Sequence, residues 1–148
     1  MSIQMTKLIP VEVGFIPLNI KECDVKSAID DIGISYSDLE IKTFDTITFV
    51  DCGINLEYVR CPFCHKEAIK WWASVMTQGE KTGFRNRGIV TPCCERFLML
   101  EEMDYCLSMG FSKYIIEIIE PSGLLTSSDV YQIGNSLGCP MKKISARY

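Results

Sequence analysis

Apolar residues at helical spacing predict two capped helices, one near each end of the chain. The first is predicted over about 20 to 32, with Asn19 and Glu22 as its N-terminal capping pair. The second follows Thr126 and Asp129, which form a clearer capping box because threonine is a preferred N-cap residue.

Segments that are rich in β-branched residues, or that alternate apolar and polar residues, predict the strands. Between the capped helices, a short amphipathic helix is predicted over 68–76 and a polar loop over 78–86. The first strand is predicted within 8–16 and starts after Pro10. The other predicted strands are 39–44, 47–50, 88–91, 96–100, 112–119 and 141–148.

The order of these elements repeats along the chain. Strand, capped helix and strand occur at the N-terminal end and again at the C-terminal end, and two such units in series are what a ferredoxin-like sandwich requires. We therefore predict an α+β fold with two βαβ units over 1–148, a single domain in which residues 55–100 form an inserted module. An α+β sheet of different strand order, built around that module, is the alternative.

Length and composition fit one globular domain. The 148 residues are 47% hydrophobic and 23% charged, and no apolar run approaches the roughly 20 residues that span a bilayer. The N-terminus has neither the apolar centre nor the cleavage site of a signal peptide, so we expect a cytoplasmic protein with no membrane contact. In that compartment, eight cysteines indicate metal ligands or buried thiols rather than disulfides.

Four of the cysteines fall in two short runs, Cys61 to Cys64 (CPFC) and Thr91 to Cys94 (TPCC). Two thiolates three positions apart on a tight turn can both reach one ion at about 2.3 Å, and a structural zinc ion takes four ligands. We therefore predict a zinc-ribbon-like Zn²⁺ site whose ligands are Cys61, Cys64, Cys93 and Cys94. In the second run, Thr91 stands where a first cysteine is expected, and Cys93 is displaced from that place by two positions.

The fourth ligand has alternatives. Only one of Cys93 and Cys94 need bind, with His65, Cys52, Cys106 or a water completing the site, and a water would leave an open position for catalysis. His65 stands at a position that glycine often occupies after such a turn, which favours a role other than metal binding. The scattered cysteines are otherwise interpreted as small buried apolar residues.

The CPFC run also has a redox interpretation. A strand, Cys-Pro-Phe-Cys and an amphipathic helix resemble the active site of glutaredoxins and related oxidoreductases, in which the helix N-terminus lowers the pKa of the first cysteine. The resemblance makes Cys61 the nucleophile, Cys64 the resolving thiol and Thr91 part of a threonine–proline element beside them. Two features oppose it: the motif follows a complete strand–helix–strand unit, and Cys93 and Cys94 have no part in it.

Residues 55–148 resemble a set of uncharacterised bacterial proteins. The shared features are Cys-Pro-x-Cys followed by Trp-Trp, then Thr-Pro-Cys-Cys, and a C-terminal Leu-Gly-Cys-Pro with Ile-x-Ala-x-Tyr. The resemblance implies a zinc-ribbon-like module and no particular activity. In that set glycine commonly follows the paired cysteines, whereas Glu95 follows them here, which disfavours a tight left-handed turn at that position.

The cysteine segment is basic within an acidic chain. Residues 60–97 hold seven basic and three acidic residues, a net charge of +4, whereas the remainder holds eight basic and sixteen acidic residues, a net charge of −8. A basic segment fits contact with nucleic acid or an acidic protein, and it also fits a solvated face beside a metal site.

Together these observations favour a small cytoplasmic bacterial protein with a structural zinc ion and a binding role, its partner being a protein or a nucleic acid. The chain has one histidine and no motif that pairs a nucleophile with a base, which disfavours an enzyme. Two enzymatic alternatives stand beside this hypothesis: a thiol-disulfide oxidoreductase using Cys61 and Cys64, and a zinc-dependent hydrolase with an open metal position.

Overall fold

Long elements lie at both ends of the chain and short ones in its middle. The computed structural model describes residues 2–148 and contains, over that range, three α-helices: α1 (Glu22–Asp31), α2 (Ile69–Lys81) and α3 (Ser127–Leu137). The strands are β1 (Gln4–Pro10), β2 (Asp38–Val50), β3 (Val59–Arg60), β4 (Gly88–Val90), β5 (Phe97–Met99), β6 (Asp104–Tyr105), β7 (Gly110–Ile119) and β8 (Met141–Arg147), with one 3₁₀ turn over Leu100–Glu102.

The main sheet has four antiparallel strands in the order β2–β7–β1–β8. Helix α1 joins β1 to β2 and helix α3 joins β7 to β8, and in both cases one other strand lies between the two that are joined. The two helices contact each other and share one apolar cluster with one face of the sheet. The predicted mixture of helices and sheet is therefore confirmed, and the sheets are antiparallel.

Alternation along the strands buries apolar residues on both faces of this sheet. On the helical face, Leu8 and Ile116 pack with Ile29 of α1 and Ile133 of α3. The opposite face carries a second buried cluster, formed by Ile9, Val50, Cys52, Met109, Ile115 and Ile144. Because successive side chains of a strand point to opposite faces, neighbours in β7 serve different cores, and each fully buried side chain stabilises the fold by roughly 2 kcal/mol.

The segment between β2 and β7, residues 51–109, leaves the sheet and returns to it at neighbouring positions, since Val50 pairs with Gly110. We call it the inserted segment. It holds two two-stranded sheets, β3–β6 and β4–β5, together with α2. Its apolar cluster includes Trp72 and is continuous with Phe111 of β7. This cluster fixes the inserted segment against one end of the main sheet.

The strands predicted over 8–16, 39–44 and 47–50 are wrong in their bounds. Strand β1 ends at Pro10 rather than beginning after it, and Pro10 pairs with Met141 at the last position of the strand. Proline has no N–H to donate, so it is tolerated there but not in the middle of a central strand. The strands predicted over 39–44 and 47–50 are one strand, β2, whose pairing is irregular between Thr43 and Thr48.

The capping box of α3 is confirmed, whereas the predicted cap of α1 is wrong. Thr126 Oγ1 accepts a hydrogen bond from Asp129 N at 3.1 Å, and Asp129 Oδ2 accepts one from Thr126 N at 2.9 Å. In α1 the N-cap residue is Lys21, and Asp24 Oδ2 accepts from its N–H at 2.9 Å. Asn19 lies before this cap, so the carboxylate at the third helical position determines where the helix begins.

Helix α2 confirms the predicted amphipathic helix but continues past residue 76 to Lys81, into the predicted loop. Its buried residues, Trp72 and Met76, lie one turn apart and face the cluster of the inserted segment. Throughout residues 2–148, every helix is too short or too polar to cross a membrane.

Candidate metal centre

Two turns of the inserted segment repeat the same backbone hydrogen bonds. In the first, which follows β3, Cys61 N donates to Lys66 O at 3.0 Å and His65 N donates to Cys61 O at 3.0 Å. In the second, between β4 and β5, Thr91 N donates to Arg96 O at 2.8 Å and Glu95 N donates to Thr91 O at 2.8 Å. We call these turns the first and second knuckles, and Thr91 has the backbone place in the second that Cys61 has in the first.

Both knuckles pass through the left-handed region at the residue after their last cysteine. His65 has a φ of 62° and Glu95 has a φ of 55°. A residue other than glycine pays about 1–2 kcal/mol to adopt this conformation, so the surrounding contacts must hold it. The sequence suggested that Glu95 disfavours a left-handed turn at this position. That expectation is wrong, because Glu95 adopts the left-handed conformation.

The two knuckles bring Cys61, Cys64, Cys93 and Cys94 together. Their four Sγ atoms lie within 4.8 Å of one another, the one such group of potential ligands in the described part of the chain. The Cys61–Cys94 distance is 3.6 Å, Cys64–Cys93 is 3.4 Å and Cys93–Cys94 is 4.0 Å. Four sulfurs at about 2.3 Å from a central ion form a tetrahedron with edges of about 3.8 Å, so these thiols fit a metal ion.

The alternative fourth ligands named above lie outside this group, as far as residues 2–148 are concerned. Cys106 Sγ accepts a hydrogen bond from Glu57 N at 3.1 Å. Cys52 is fully buried in the cluster behind the main sheet. His65 is the residue of the first knuckle that adopts the left-handed conformation. The four cysteines brought together are the predicted set, although the sequence left alternatives to Cys93 open because its place depends on the turn that displaces it.

Burial and neighbouring dipoles act in opposite directions on the thiols. Burial opposes ionisation of Cys61, but the backbone N–H groups of Cys64 and Phe63 outweigh it and lower its pKa to about 7. Burial, together with the other thiols of the group, raises the pKa of Cys93 to about 12. Cysteine binds a metal ion as the thiolate, so metal binding at this group would be accompanied by release of protons.

An exposed arginine at each knuckle lies over an aromatic ring. The Arg60 guanidinium lies 3.8 Å from the centre of the Tyr58 ring, and that of Arg96 lies 5.3 Å from the centre of the Phe63 ring. Four thiolates and one divalent ion carry a net charge of −2, which nearby cations stabilise. A divalent ion bound at the four cysteines would therefore have cationic side chains close to its negative charge.

The geometry differs from the dithiol site of an oxidoreductase. Helix α2 begins at Ile69, after the first knuckle has closed, so its N-terminus is not at the first cysteine. Cys61 is fully buried, and its Sγ atom contacts Cys94 Sγ of the second knuckle at 3.6 Å. A nucleophilic thiol needs access and a helix N-terminus or a cation beside it. These features oppose the glutaredoxin-like interpretation.

Two partly buried polar contacts outside the knuckles had no signal in the sequence. Arg87 Nε contacts both carboxylate oxygens of Glu101, at 3.0 and 3.1 Å, and its guanidinium also donates to Phe84 O at 2.9 Å. This pair joins the 3₁₀ turn after β5 to the residue that precedes β4. The second contact joins Lys7 to Asp51 and Tyr148. Comparison of the chain with protein-family models, with curated proteins and with solved structures finds no match.

Proposed function

We propose that Cys61, Cys64, Cys93 and Cys94 bind one Zn²⁺ ion that holds the inserted segment in its fold. The observation that supports this is the group of four sulfurs at distances near the edge of a tetrahedral tetrathiolate site. Four thiolate ligands leave no open position, which favours a structural role over hydrolysis. Tetrahedral sulfur sites also bind iron, so metal analysis must identify the ion.

The fold that we propose follows from the strand order. A sheet of order β2–β7–β1–β8, with one helix in each strand–helix–strand unit, supports a ferredoxin-like sandwich. The zinc-ribbon-like module, residues 55–100, is then an insertion between its second and third strands. We also propose membership of the set of bacterial proteins that share the CPxC and TPCC runs. A cytoplasmic location is consistent with eight cysteines that form no disulfide.

The metal experiment has two parts. Protein purified without added metal is expected to contain about one zinc ion per chain by mass spectrometry, and chelation is expected to expose the four thiols of the group. Cys64→Ser is expected to lose the metal. Its matched control is Cys23→Ser, since Cys23 is an exposed free thiol outside the group and the metal content should not change. Absence of metal, with a reversible Cys61–Cys64 disulfide, would reject the proposal in favour of a dithiol oxidoreductase.

We propose further that the metal supports a binding surface and that its partner is single-stranded nucleic acid. Phe63 and Phe97 are exposed, by 39% and 67%, and the exposed Arg96 lies over the Phe63 ring. Arg60 is also exposed and lies over the Tyr58 ring. Aromatic rings and guanidinium planes stack on bases, and cations contact phosphates. Zn²⁺ and four thiolates together contribute −2, so residues 60–97 keep a net charge of +2 in the metal-bound form.

A salt titration tests this partner. Labelled single-stranded DNA and RNA oligonucleotides are expected to bind at low salt, with an affinity that falls linearly on a logarithmic scale as salt rises. Arg60→Gln and Arg96→Gln should each weaken binding and reduce that slope by about 0.7. Lys26→Gln on the exposed face of α1 is the control with unchanged binding. No affinity at low salt would exclude nucleic acid and leave an acidic protein as the partner.

A further inference from the structure

Thr91 lies at the metal centre although it is not a thiol. It is fully buried, as Cys61 is, and its two backbone hydrogen bonds reproduce those that Cys61 makes in the first knuckle. Its Oγ1 atom lies 3.2 Å from Cys94 Sγ, compared with 3.6 Å between Cys61 Sγ and the same sulfur. The Thr91 hydroxyl therefore lies beside the Cys94 sulfur, at the backbone place that a first cysteine of the second knuckle would take.

The contacts of the Thr91 hydroxyl indicate which atom receives its hydrogen. Arg96 N donates to Thr91 Oγ1 at 3.0 Å, so that oxygen already serves as an acceptor. A hydroxyl has a single hydrogen, and the remaining polar contact of Thr91 Oγ1 is Cys94 Sγ at 3.2 Å. The hydroxyl hydrogen is thus free to be donated to Cys94. A thiolate with a metal ion beside it has no hydrogen of its own and accepts that bond.

We propose that Thr91 is a positioning residue of the metal centre. It closes the second knuckle through Arg96 N and donates its hydroxyl hydrogen to the Cys94 thiolate, while Cys93 supplies the fourth sulfur from two positions further on. The inference rests on the metal site proposed above. It follows that the second knuckle has kept the backbone of an ordinary Cys-x-x-Cys turn, so a cysteine at position 91 can replace Cys93 as ligand.

Substitution of Thr91 separates the role of the hydroxyl from that of its shape. Thr91→Val keeps the branched shape and removes the hydroxyl, and Thr91→Ser keeps the hydroxyl. Loss of a partner that orients a metal ligand typically weakens metal affinity 10-fold to 100-fold. In competition with a chromophoric chelator, we expect Thr91→Val to bind Zn²⁺ at least about 10-fold more weakly than the unaltered chain, and Thr91→Ser to remain within about threefold of it.

Relocating the fourth ligand tests the knuckle geometry directly. Cobalt(II) reports the number of thiolates through its charge-transfer absorption, independently of any activity. We expect Cys93→Ala to lose part of that absorption and the double variant Thr91→Cys, Cys93→Ala to regain it, with tight zinc binding restored. The far-ultraviolet circular dichroism of each variant establishes that the main sheet is folded before the spectra are compared.

The outcomes distinguish this inference from the metal site itself. Absence of metal in the unaltered chain would reject both. Metal in the unaltered chain, with Thr91→Val binding as tightly as Thr91→Ser, would reject the positioning role alone. A double variant that binds cobalt no better than Cys93→Ala, or that does not fold when Cys93→Ala does, would reject the equivalence of positions 61 and 91.

Discussion

Lys7 is a buried basic residue of β1, one of the two central strands of the main sheet. Its Nζ atom donates to the Asp51 carbonyl oxygen at 3.1 Å, to Asp51 Oδ1 at 3.3 Å and to the Tyr148 hydroxyl, which in turn donates to Asp51 Oδ1 at 2.8 Å. The Lys7 side chain is 7% exposed, and these hydrogen bonds compensate for the water that its amine loses on burial. These hydrogen bonds connect three distant parts of the chain: β1 through Lys7, the start of the inserted segment through Asp51, and the C-terminal residue Tyr148.

The Asp51 carboxylate is expected to make stability depend on pH. Burial opposes its ionisation, but the hydrogen bond from Tyr148 and the Lys7 ammonium outweigh it and lower the pKa of Asp51 below its ordinary value of 3.8. A carboxyl whose pKa is lower in the folded state stabilises that state above the unfolded pKa, and the stabilisation is lost as pH falls through the folded pKa. Asp51 therefore contributes fully at neutral pH.

We expect Asp51→Asn to lower the free energy of unfolding by about 2 kcal/mol at pH 7, a moderate value because the Asp51 side chain is 45% exposed and partly screened. Urea unfolding of both proteins from pH 7 to pH 3 measures the difference. It should be constant above about pH 5 and shrink below about pH 4. A difference that is the same at pH 3 and pH 7 would show that the ionised carboxylate has no part in it.

The four clustered cysteines and the contacts of Lys7 differ in how well the sequence predicts them. The cysteines that cluster were identifiable because ligand spacing is local and a metal site has a fixed chemistry. Lys7 precedes Leu8 in an ordinary strand pattern, and its partners Asp51 and Tyr148 lie 44 and 141 positions away. Long-range polar pairing of this kind has no local pattern, so it became visible only with the fold.

Secondary-structure elements show where local chemistry is sufficient and where it is not. Helix α3 begins at its threonine cap, because Thr126 and Asp129 satisfy each other's backbone N–H groups without help from the rest of the chain. In α1 two acidic residues compete for that role, Glu22 with Asn19 and Asp24 with Lys21, and only the second pair is formed. The spacing of three positions is the same in both pairs, so the sequence pattern alone does not choose between them.

Substitutions at the start of α1 distinguish the two caps. We expect Asp24→Ala to lower the free energy of unfolding by about 1 kcal/mol, since the Lys21 N–H loses its acceptor and the helix N-terminus loses a negative charge. Asn19→Ala should change it by less than about 0.5 kcal/mol, because Asn19 lies outside the cap. Urea unfolding of the metal-saturated proteins measures both. A larger effect at Asn19 than at Asp24 would place the cap where the sequence pattern placed it.

Short strands in the inserted segment depend on neighbours that the sequence does not show. Strands β3 and β6 have two residues each, and β4 and β5 have three, which is too little to be stable alone. The knuckles at their ends also hold two non-glycine residues in the left-handed region. A sequence pattern detects the cysteines of such turns, whereas the strain and its compensation depend on the complete centre.

The molecule as a whole is built around separate apolar clusters. One lies between the main sheet and helices α1 and α3, one lies behind the sheet, and one belongs mainly to the inserted segment. The residues of the first cluster can be predicted from the sequence. Apolar residues on one face recur every two positions in a strand and every three to four positions in a helix. Those of the third cluster cannot be, since Phe49 of β2 and Phe111 of β7 join it to Trp72 and Tyr105 across long separations.

Metal removal is expected to loosen the inserted segment while the main sheet stays folded. Both tryptophans of the chain lie in α2, and Trp72 packs edge-on against Phe49 while its Nε1 donates to the Tyr105 hydroxyl at 3.1 Å. Intrinsic tryptophan fluorescence therefore reports this segment alone. Structural zinc contributes directly to folding, and short strands with a small cluster have little to replace it.

Chelation should shift the tryptophan emission to longer wavelength, and readdition of Zn²⁺ should reverse the shift. Far-ultraviolet circular dichroism should fall by no more than the contribution of α2 and the short strands, because the cluster of α1, α3 and the main sheet contains none of the four cysteines. The variant Trp71→Phe assigns the change to Trp72. If chelation instead abolished the entire dichroism signal in one transition, the sheet and the inserted segment would form a single cooperative unit that depends on the metal.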